Sequence, residues 1–75
     1  MNEEVKDRVA ANVRRLAEER FPDGPKAAVR RAMGYTNRPP GDVRWSGEVP
    51  YDVSQLAVVA DLLGVRVADL FQPPD

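Results

Sequence analysis

The hydrophobic residues at the start of the chain recur at the spacing of one helical face. They are separated by four, four, three and five residues: Val5, Val9, Val13, Leu16 and Phe21. This spacing matches the period of an amphipathic α-helix and predicts a helix over about residues 3–20. The segment Pro22–Gly24 ends it. Arg14 and Arg15 lie beside the stripe, where we expect them to be solvated or paired with glutamates of the same helix.

Two shorter helices are predicted in the middle of the chain. The first spans about residues 25–33, because Pro25 suits the first position of a helix and Gly34 suits the left-handed residue after its end. The second is restricted by the segment Pro39–Gly41, since proline lacks the amide hydrogen and disfavours the helical conformation in the residue before it. We therefore predict a short helix over about residues 40–46.

The clearest signals predict a helix over residues 53–63. Asp52 and Gln55 have the spacing of a capping box, and Tyr51 and Leu56 have the spacing of the hydrophobic staple around it. The predicted apolar face consists of Val53, Leu56, Val59, Ala60 and Leu63. Gly64 then marks the end of the helix.

A fifth short helix is predicted over about residues 66–71, with Pro73 and Pro74 as its stop. In it, Leu70 and Phe71 either cover the open end of the core or form a dimer patch. No alternation of polar and apolar residues predicts a strand. The pattern therefore predicts an all-α, compact five-helix fold that forms a single domain over residues 1–75.

Charge is unevenly distributed along the 75 residues, although the net charge is only −1. Residues 26–45 carry five basic groups and one acidic group, a net charge of +4. Residues 46–75 carry one basic and five acidic groups, a net charge of −4. A positive segment suits a surface that binds phosphate, and an acidic remainder disfavours inverted docking. The alternative interpretation is that these charged side chains are ordinary solvated surface residues with no binding role.

Composition argues against several classes of function. The chain has no cysteine and no histidine, which removes disulfides, the usual zinc ligands and the usual general base near neutral pH. Ser46 and Ser54 have no histidine to activate them as nucleophiles. We expect no enzyme, metal site, cofactor or small-molecule ligand. Short apolar runs and a charged amphipathic start predict no membrane span or signal peptide, and so a cytoplasmic protein.

The order of residues 45–71 resembles the second half of a lambda-repressor/Cro-type helix-turn-helix domain. A tryptophan and a turn are followed by a capped helix, a glycine and a short apolar helix. The matching positions are Leu56, Ala60, Leu63, Gly64, Val65, Leu70 and Phe71. In the other half, Val29, Gly34 and Gly47 match the family's spacing. The resemblance covers roughly residues 9–71 and looks most like small regulators of actinobacteria and their phages.

This resemblance implies that helix 2 crosses the DNA backbone and that helix 3 lies in the major groove. Two departures matter. Arg30 occupies the helix-2 position where the family prefers a small residue that admits helix 3. The span from Gly34 to Gly47 is also one residue longer than usual and contains the proline pair. Either the protein reads DNA with an altered loop and helix, or the scaffold serves another use.

The resemblance and the positive segment together indicate six candidate DNA contacts: Lys26, Arg31, Thr36, Asn37, Arg38 and Arg44. Lys26 corresponds to a polar residue at the start of helix 2, where helix amides point at the same phosphate. Arg38 and Arg44 are long donors that suit guanine or phosphate. Thr36 and Asn37 either contact phosphate or adenine or cap the next helix.

The other notable residues are expected to support this surface. The expected core and scaffold residues are Val13, Leu16, Val29, Trp45, Leu56, Ala60, Leu63 and Leu70. We expect Trp45 to pack in the core and not to stack on a base. Tyr35 either joins the core or faces phosphate. Arg30 either pairs with an acid or covers apolar surface with its stem.

The sequence therefore predicts a sequence-specific transcriptional regulator of the repressor or Cro type that binds double-stranded DNA, and so associates with the nucleoid. A homodimer is physically expected, because a domain this small contacts few base pairs. The alternative is a protein-interaction module on the same scaffold that binds a host or phage protein. The segment Pro39–Gly41 and the acidic net charge favour that alternative.

Overall fold

The computed structural model describes residues 4–73, and all of its regular structure is helical. This part of the chain forms helices α1 (Val5–Arg20), α2 (Pro25–Ala32), α3 (Arg38–Ser46) and α4 (Val53–Leu63), and then a 3₁₀ helix (Val67–Phe71). Residues 4–73 contain no strand, so the all-α prediction is confirmed. The radius of gyration, 11.3 Å, is that of a compact domain of this length. None of the helices in this range has the length and apolar character needed to cross a bilayer.

Helix α1 lies at the centre of the packing, because it contacts each of the other four elements. The expected core residues that are buried are Val13, Val29, Ala60, Leu63 and Leu70. Leu16, Trp45 and Leu56 are half-buried and pack against that core. Small residues on α1, among them Ala10 and Ala17, let the neighbouring elements approach closely.

Two valines of the predicted apolar faces are exposed. Val5 is 55% exposed and Val53 is 83% exposed. Each is the first residue of its helix, where no preceding turn packs beside it. The predicted faces of α1 and α4 were therefore wrong at their amino-terminal ends.

Helix α3 begins at Arg38, two residues before the predicted start. Asn37 is the N-cap residue, so Pro39 and Pro40 occupy the second and third positions of the first turn. Amides at these positions have no intrahelical acceptor, so proline removes no hydrogen bond there. The proline pair excludes a helix interior but is compatible with a first turn, and the predicted boundary was wrong for that reason.

Helix α4 begins with the predicted capping box. The amide of Gln55 donates to Oδ1 of Asp52 at 2.8 Å, and Oε1 of Gln55 accepts from the amide of Asp52 at 3.0 Å. Tyr51, the residue before the cap, is buried. Gly64 ends the helix with a positive φ of 71°.

The predicted fifth helix is a 3₁₀ helix and not an α-helix. Its five residues are few enough for the tighter 3₁₀ winding. The amide of Arg66 donates to the Asp69 carboxylate, which lowers the pKa of that carboxyl. Leu70 is fully buried, whereas Phe71 remains 38% exposed, so only Leu70 covers the core. The predicted start of helix 1 at residue 3, and Pro74 of the predicted stop, lie outside the described residues.

Candidate nucleic-acid interface

A surface cavity of about 340 Å³ opens between the start of α2 and the first half of α3. Its lining consists of Gly24, Pro25, Lys26, Ala27, Arg30, Arg38 and Asp42. Three of these residues are basic and one is acidic, so the cavity carries a net positive charge. Two predicted contact residues, Lys26 and Arg38, are brought together here. Arg30 joins them, although the sequence indicated only pairing or apolar cover for it.

The donors around this cavity are only weakly engaged. Nζ of Lys26 lies 3.2 Å from Oδ1 of Asp42, and both side chains remain substantially exposed. An exposed ion pair of this kind contributes about 1 kcal/mol at most, so it is easily exchanged for a phosphate contact. The side chain of Arg38 is exposed and makes no hydrogen bond or ion pair with another described residue.

The start of α2 adds backbone donors to the same cavity. Its N-cap residue is Gly24, which has no side chain with which to cap the helix. Pro25 is the first helical residue, so the amides of Lys26 and Ala27 are the next donors without an intrahelical acceptor. An uncapped helix start carries partial positive charge and suits an anion.

Arg30 also sets how closely α3 approaches α2. A Cβ atom on Gly41 would lie 2.9 Å from Cγ of Arg30 and 3.1 Å from its Cβ. The stem of Arg30 therefore covers the backbone of α3 at Gly41, as one of the two sequence-based alternatives predicted. The guanidinium Nη1 donates to the carbonyl of Thr36 at 3.4 Å. A large residue on α2 is thus matched by the smallest residue on α3.

Arg44 serves mainly to hold α3 against α4. Its Nε donates to Oε1 of Gln55 at 2.9 Å, and its Nη1 donates to the carbonyl of Pro40 at 2.9 Å. The guanidinium also lies over the ring of Tyr35, 5.3 Å from its centroid. Nε2 of Gln55 in turn donates to the hydroxyl of Tyr35 at 2.6 Å. Both Nε and Nη1 of Arg44 are therefore engaged within the protein.

The remaining candidate contacts do not line the cavity. Arg31 is exposed and lines a different depression, next to Arg20 at the end of α1. Thr36 and Asn37 are exposed in the connection before α3. Asn37 makes no side-chain capping bond, because the two positions that would donate to it are prolines. Its side-chain amide therefore remains available to a ligand.

The face of α3 that points away from α2 carries a short stripe of three residues. Pro39, Val43 and Ser46 are separated by four and three residues and so share one side of the helix. This side is opposite Gly41, since two residues along a helix correspond to roughly 200° of rotation. Pro39 and Ser46 are exposed and Val43 is half-exposed, and none of the three belongs to the core cluster.

Two basic residues of α1 hold the end of α3, and no pattern in the sequence indicated them directly. Nη1 of Arg14 donates to the carbonyl of Trp45 at 2.7 Å, and Nζ of Lys6 donates to the carbonyl of Gly47 at 2.9 Å. Arg14 is therefore neither simply solvated nor paired with a glutamate. Both residues are four positions from Ala10, whose methyl group faces Gly47. A basic residue four positions before and after a small helical residue is the sequence pattern that could have identified Lys6 and Arg14.

One buried polar atom lies behind the interface. The hydroxyl of Tyr51 has no hydrogen-bond partner among the described residues. Burial raises the pKa of Tyr51 to about 12, although the nearby charges of Arg14 and Arg44 act in the opposite direction. The hydroxyl is therefore neutral at physiological pH and belongs to the scaffold of the interface.

The described residues contain no cluster of three or more acidic, cysteine or histidine side chains that could hold a metal ion. Comparison with known proteins gave no match to a protein-family model, a curated protein or a solved structure. Three features therefore bear on function: the cavity between α2 and α3, the stripe beside it and the resemblance in sequence.

Proposed function

We propose that this protein is a DNA-binding transcriptional regulator in which α2, the connecting residues and α3 act as a helix-turn-helix of the lambda-repressor/Cro type. The observation that carries the proposal is the positive cavity at the start of α2. It combines Lys26, Arg30 and Arg38 with two backbone amides that lack an intrahelical acceptor. This donor set suits a phosphate of the DNA backbone.

In the proposed complex, the cavity binds one phosphate and so fixes the orientation of α3. The exposed Asn37 and Arg38 stand at the leading end of α3, where an amide suits adenine and a guanidinium suits guanine or phosphate. Arg31 contacts a neighbouring phosphate from the other side of α2. Arg44 acts through position and not through contact, since its bond to Gln55 fixes α3 against α4 and its bond to the carbonyl of Pro40 holds the guanidinium along α3.

The alternative function is a protein-interaction module on the same scaffold. The observation that favours it is the outer stripe of α3, in which Pro39 and Val43 are apolar and no basic side chain occurs. The acidic net charge of −1 also favours it over non-specific attraction to DNA. Salt dependence separates the two functions, because phosphate contacts release counterions from DNA and most protein contacts do not.

The test is the binding of the protein to a fluorescent mixed-sequence DNA duplex, followed by anisotropy over a range of salt concentrations. We expect the logarithm of the association constant to fall linearly with the logarithm of the salt concentration. Replacement of Arg38 or Lys26 by alanine should weaken binding at every sequence, and each phosphate contact that it removes should reduce the slope by about one.

Arg15→Ala is the matched control for these variants. Arg15 is exposed on α1 and forms only a 3.9 Å pair with Glu19, so this variant removes the same charge from a different face. Its binding should fall only slightly, and its salt slope should equal that of the parent protein. Equal losses for Arg15→Ala and Arg38→Ala would show that net charge, and not the cavity, drives binding. A lack of salt-sensitive binding at low salt would refute the proposal and favour the protein-interaction function.

A further inference from the structure

The outer stripe of α3 is the surface that the proposed docking would place nearest the base edges. Arg38 and Asp42, one helical turn apart, line the cavity for the phosphate. Pro39 and Val43 are the next residues along the chain after each of them, so the stripe runs directly beside the cavity. A phosphate held in the cavity would therefore bring the stripe into the major groove, which is wide enough to admit a helix.

The chemistry of this stripe is unusual for a surface that reads bases. Pro39 and Val43 offer no donor or acceptor from their side chains. The hydroxyl of Ser46 is already used, since it donates to the carbonyl of Val43 at 3.1 Å and accepts from the amide of Glu48 at 3.4 Å. The stripe therefore has no free side-chain donor for the acceptors of guanine, and its one free acceptor site is the second lone pair of the Ser46 hydroxyl.

Apolar contact is the main means of recognition left to the stripe, since two of its three residues are apolar, and one base offers such a contact in the major groove. Thymine carries a 5-methyl group there, whereas cytosine, adenine and guanine present only polar groups and ring atoms. The isopropyl group of Val43 is half-exposed and outside the core cluster, so it is available for such a contact. The ring of Pro39 is exposed one turn earlier and suits a second methyl group.

Charge distinguishes DNA from a protein as the occupant of this stripe. The cavity beside it contains three basic residues against one acidic residue, Asp42, so its lining is positive whether or not Asp42 stays paired with Lys26. Arg38, next to Pro39, has no partner among the described residues. An apolar stripe that runs along a positive border matches the surface of a duplex, in which phosphates flank the base edges.

We infer that α3 recognises thymine 5-methyl groups through Val43, with Pro39 as a second contact, and that the protein prefers A·T pairs at these positions. This inference rests on the proposed function, because it requires α3 to enter the major groove. Burial of one methyl group contributes a transfer free energy that corresponds to roughly a fourfold change in affinity. Loss of a single contacted thymine methyl should therefore weaken binding about fourfold.

The experiment begins with selection of bound duplexes from a pool with a randomised central segment. The preferred duplex is then synthesised with deoxyuridine in place of thymidine, one position at a time. Deoxyuridine forms the same hydrogen bonds with adenine but lacks the 5-methyl group, so it removes the proposed contact and keeps the pairing. We expect one or two positions at which uracil weakens binding about fourfold. Val43→Ala should abolish this difference at one of them without weakening binding to the uracil duplex.

Val58→Ala is the control, because Val58 is a solvent-exposed valine (41%) on α4, outside the proposed interface. It should retain the full discrimination between thymine and uracil. Salt-sensitive selection with no uracil effect at any position would overturn the methyl contact while leaving the proposed function intact. A uracil effect that persists in Val43→Ala at every position would overturn the assignment to Val43. A lack of salt-sensitive binding would overturn the proposed function and the inference together.

Discussion

The close contact between Arg30 and Gly41 predicts that the effect of Gly41→Ala on stability changes sign between the parent protein and an Arg30→Ala variant. In the parent protein, Gly41→Ala places a Cβ atom 2.9 Å from Cγ and 3.2 Å from Cδ of Arg30. These atoms belong to the near part of the side chain, which cannot move away without a shift of α2 or of its rotamer. Overpacking of this kind costs about 1–3 kcal/mol.

Helix propensity acts in the opposite direction. Alanine within a helix is favoured over glycine by about 1 kcal/mol. Gly41→Ala should therefore lower the free energy of unfolding by up to about 2 kcal/mol in the parent protein. In an Arg30→Ala background the contacts with Cγ and Cδ disappear and only the Cβ atom at 3.1 Å remains, so most of the steric cost is removed. The same substitution should then raise that free energy by up to about 1 kcal/mol.

Thermal and urea unfolding of the four proteins in this cycle, followed by circular dichroism, measure the effect. One kcal/mol corresponds to a shift of about 4–8 °C in Tm for a domain of this size, so the reversal of sign is easily resolved. The coupling between the two sites should be about 1–3 kcal/mol. Stabilisation by Gly41→Ala in both backgrounds would refute the steric account of how α2 and α3 meet.

Three further predictions concern the scaffold. Gln55→Ala removes one side of the capping box and takes one hydrogen-bond partner each from Arg44 and Tyr35. The free energy of unfolding in urea titrations should therefore fall by about 1–3 kcal/mol, and an unchanged midpoint would contradict the network. Gly47→Ala should cost more than Gly34→Ala in the same assay; both glycines have positive φ, 92° and 84°, but only at Gly47 would a Cβ meet neighbours, Ala10 and Asp7, both at 3.2 Å. Since the pKa of Tyr51 is raised from 10.0 to about 12 in the folded protein, its contribution to stability is complete below pH 10 and is lost as the pH rises towards 12. Tyr51→Phe should remove this loss of stability between pH 10 and 12, as measured by unfolding monitored by circular dichroism. At pH 7 it should leave the free energy of unfolding unchanged or raised by up to about 1 kcal/mol, because no hydrogen bond is removed.

The sequence predicted best the features whose signals are local. The capping box depends on Asp52 and Gln55, three residues apart, and both of its hydrogen bonds are present. The end of α4 depends on a single glycine, Gly64, which has the expected left-handed conformation. Such features depend little on where the rest of the chain lies.

Features that depend on the approach of distant residues were not predictable in the same way. The departure at Arg30 was visible in the sequence, but its compensation by Gly41 requires the orientation of α3 relative to α2. Arg44 is a suitable base contact by position and chemistry, yet Gln55 and Tyr35 engage it from other elements. Asn37 is a typical capping residue, but the prolines after it leave its side chain without a donor.

The proline pair at the start of α3 also affects how the protein would meet a partner. Proline restricts the unfolded chain, so less conformational entropy is lost when Pro39 and Pro40 take their places in the first turn. The leading end of α3 is thus ordered before any encounter, and a partner that docks on it does not have to order it. Association should then resemble the docking of two rigid bodies, with a small heat-capacity change set by the area buried and not by coupled folding.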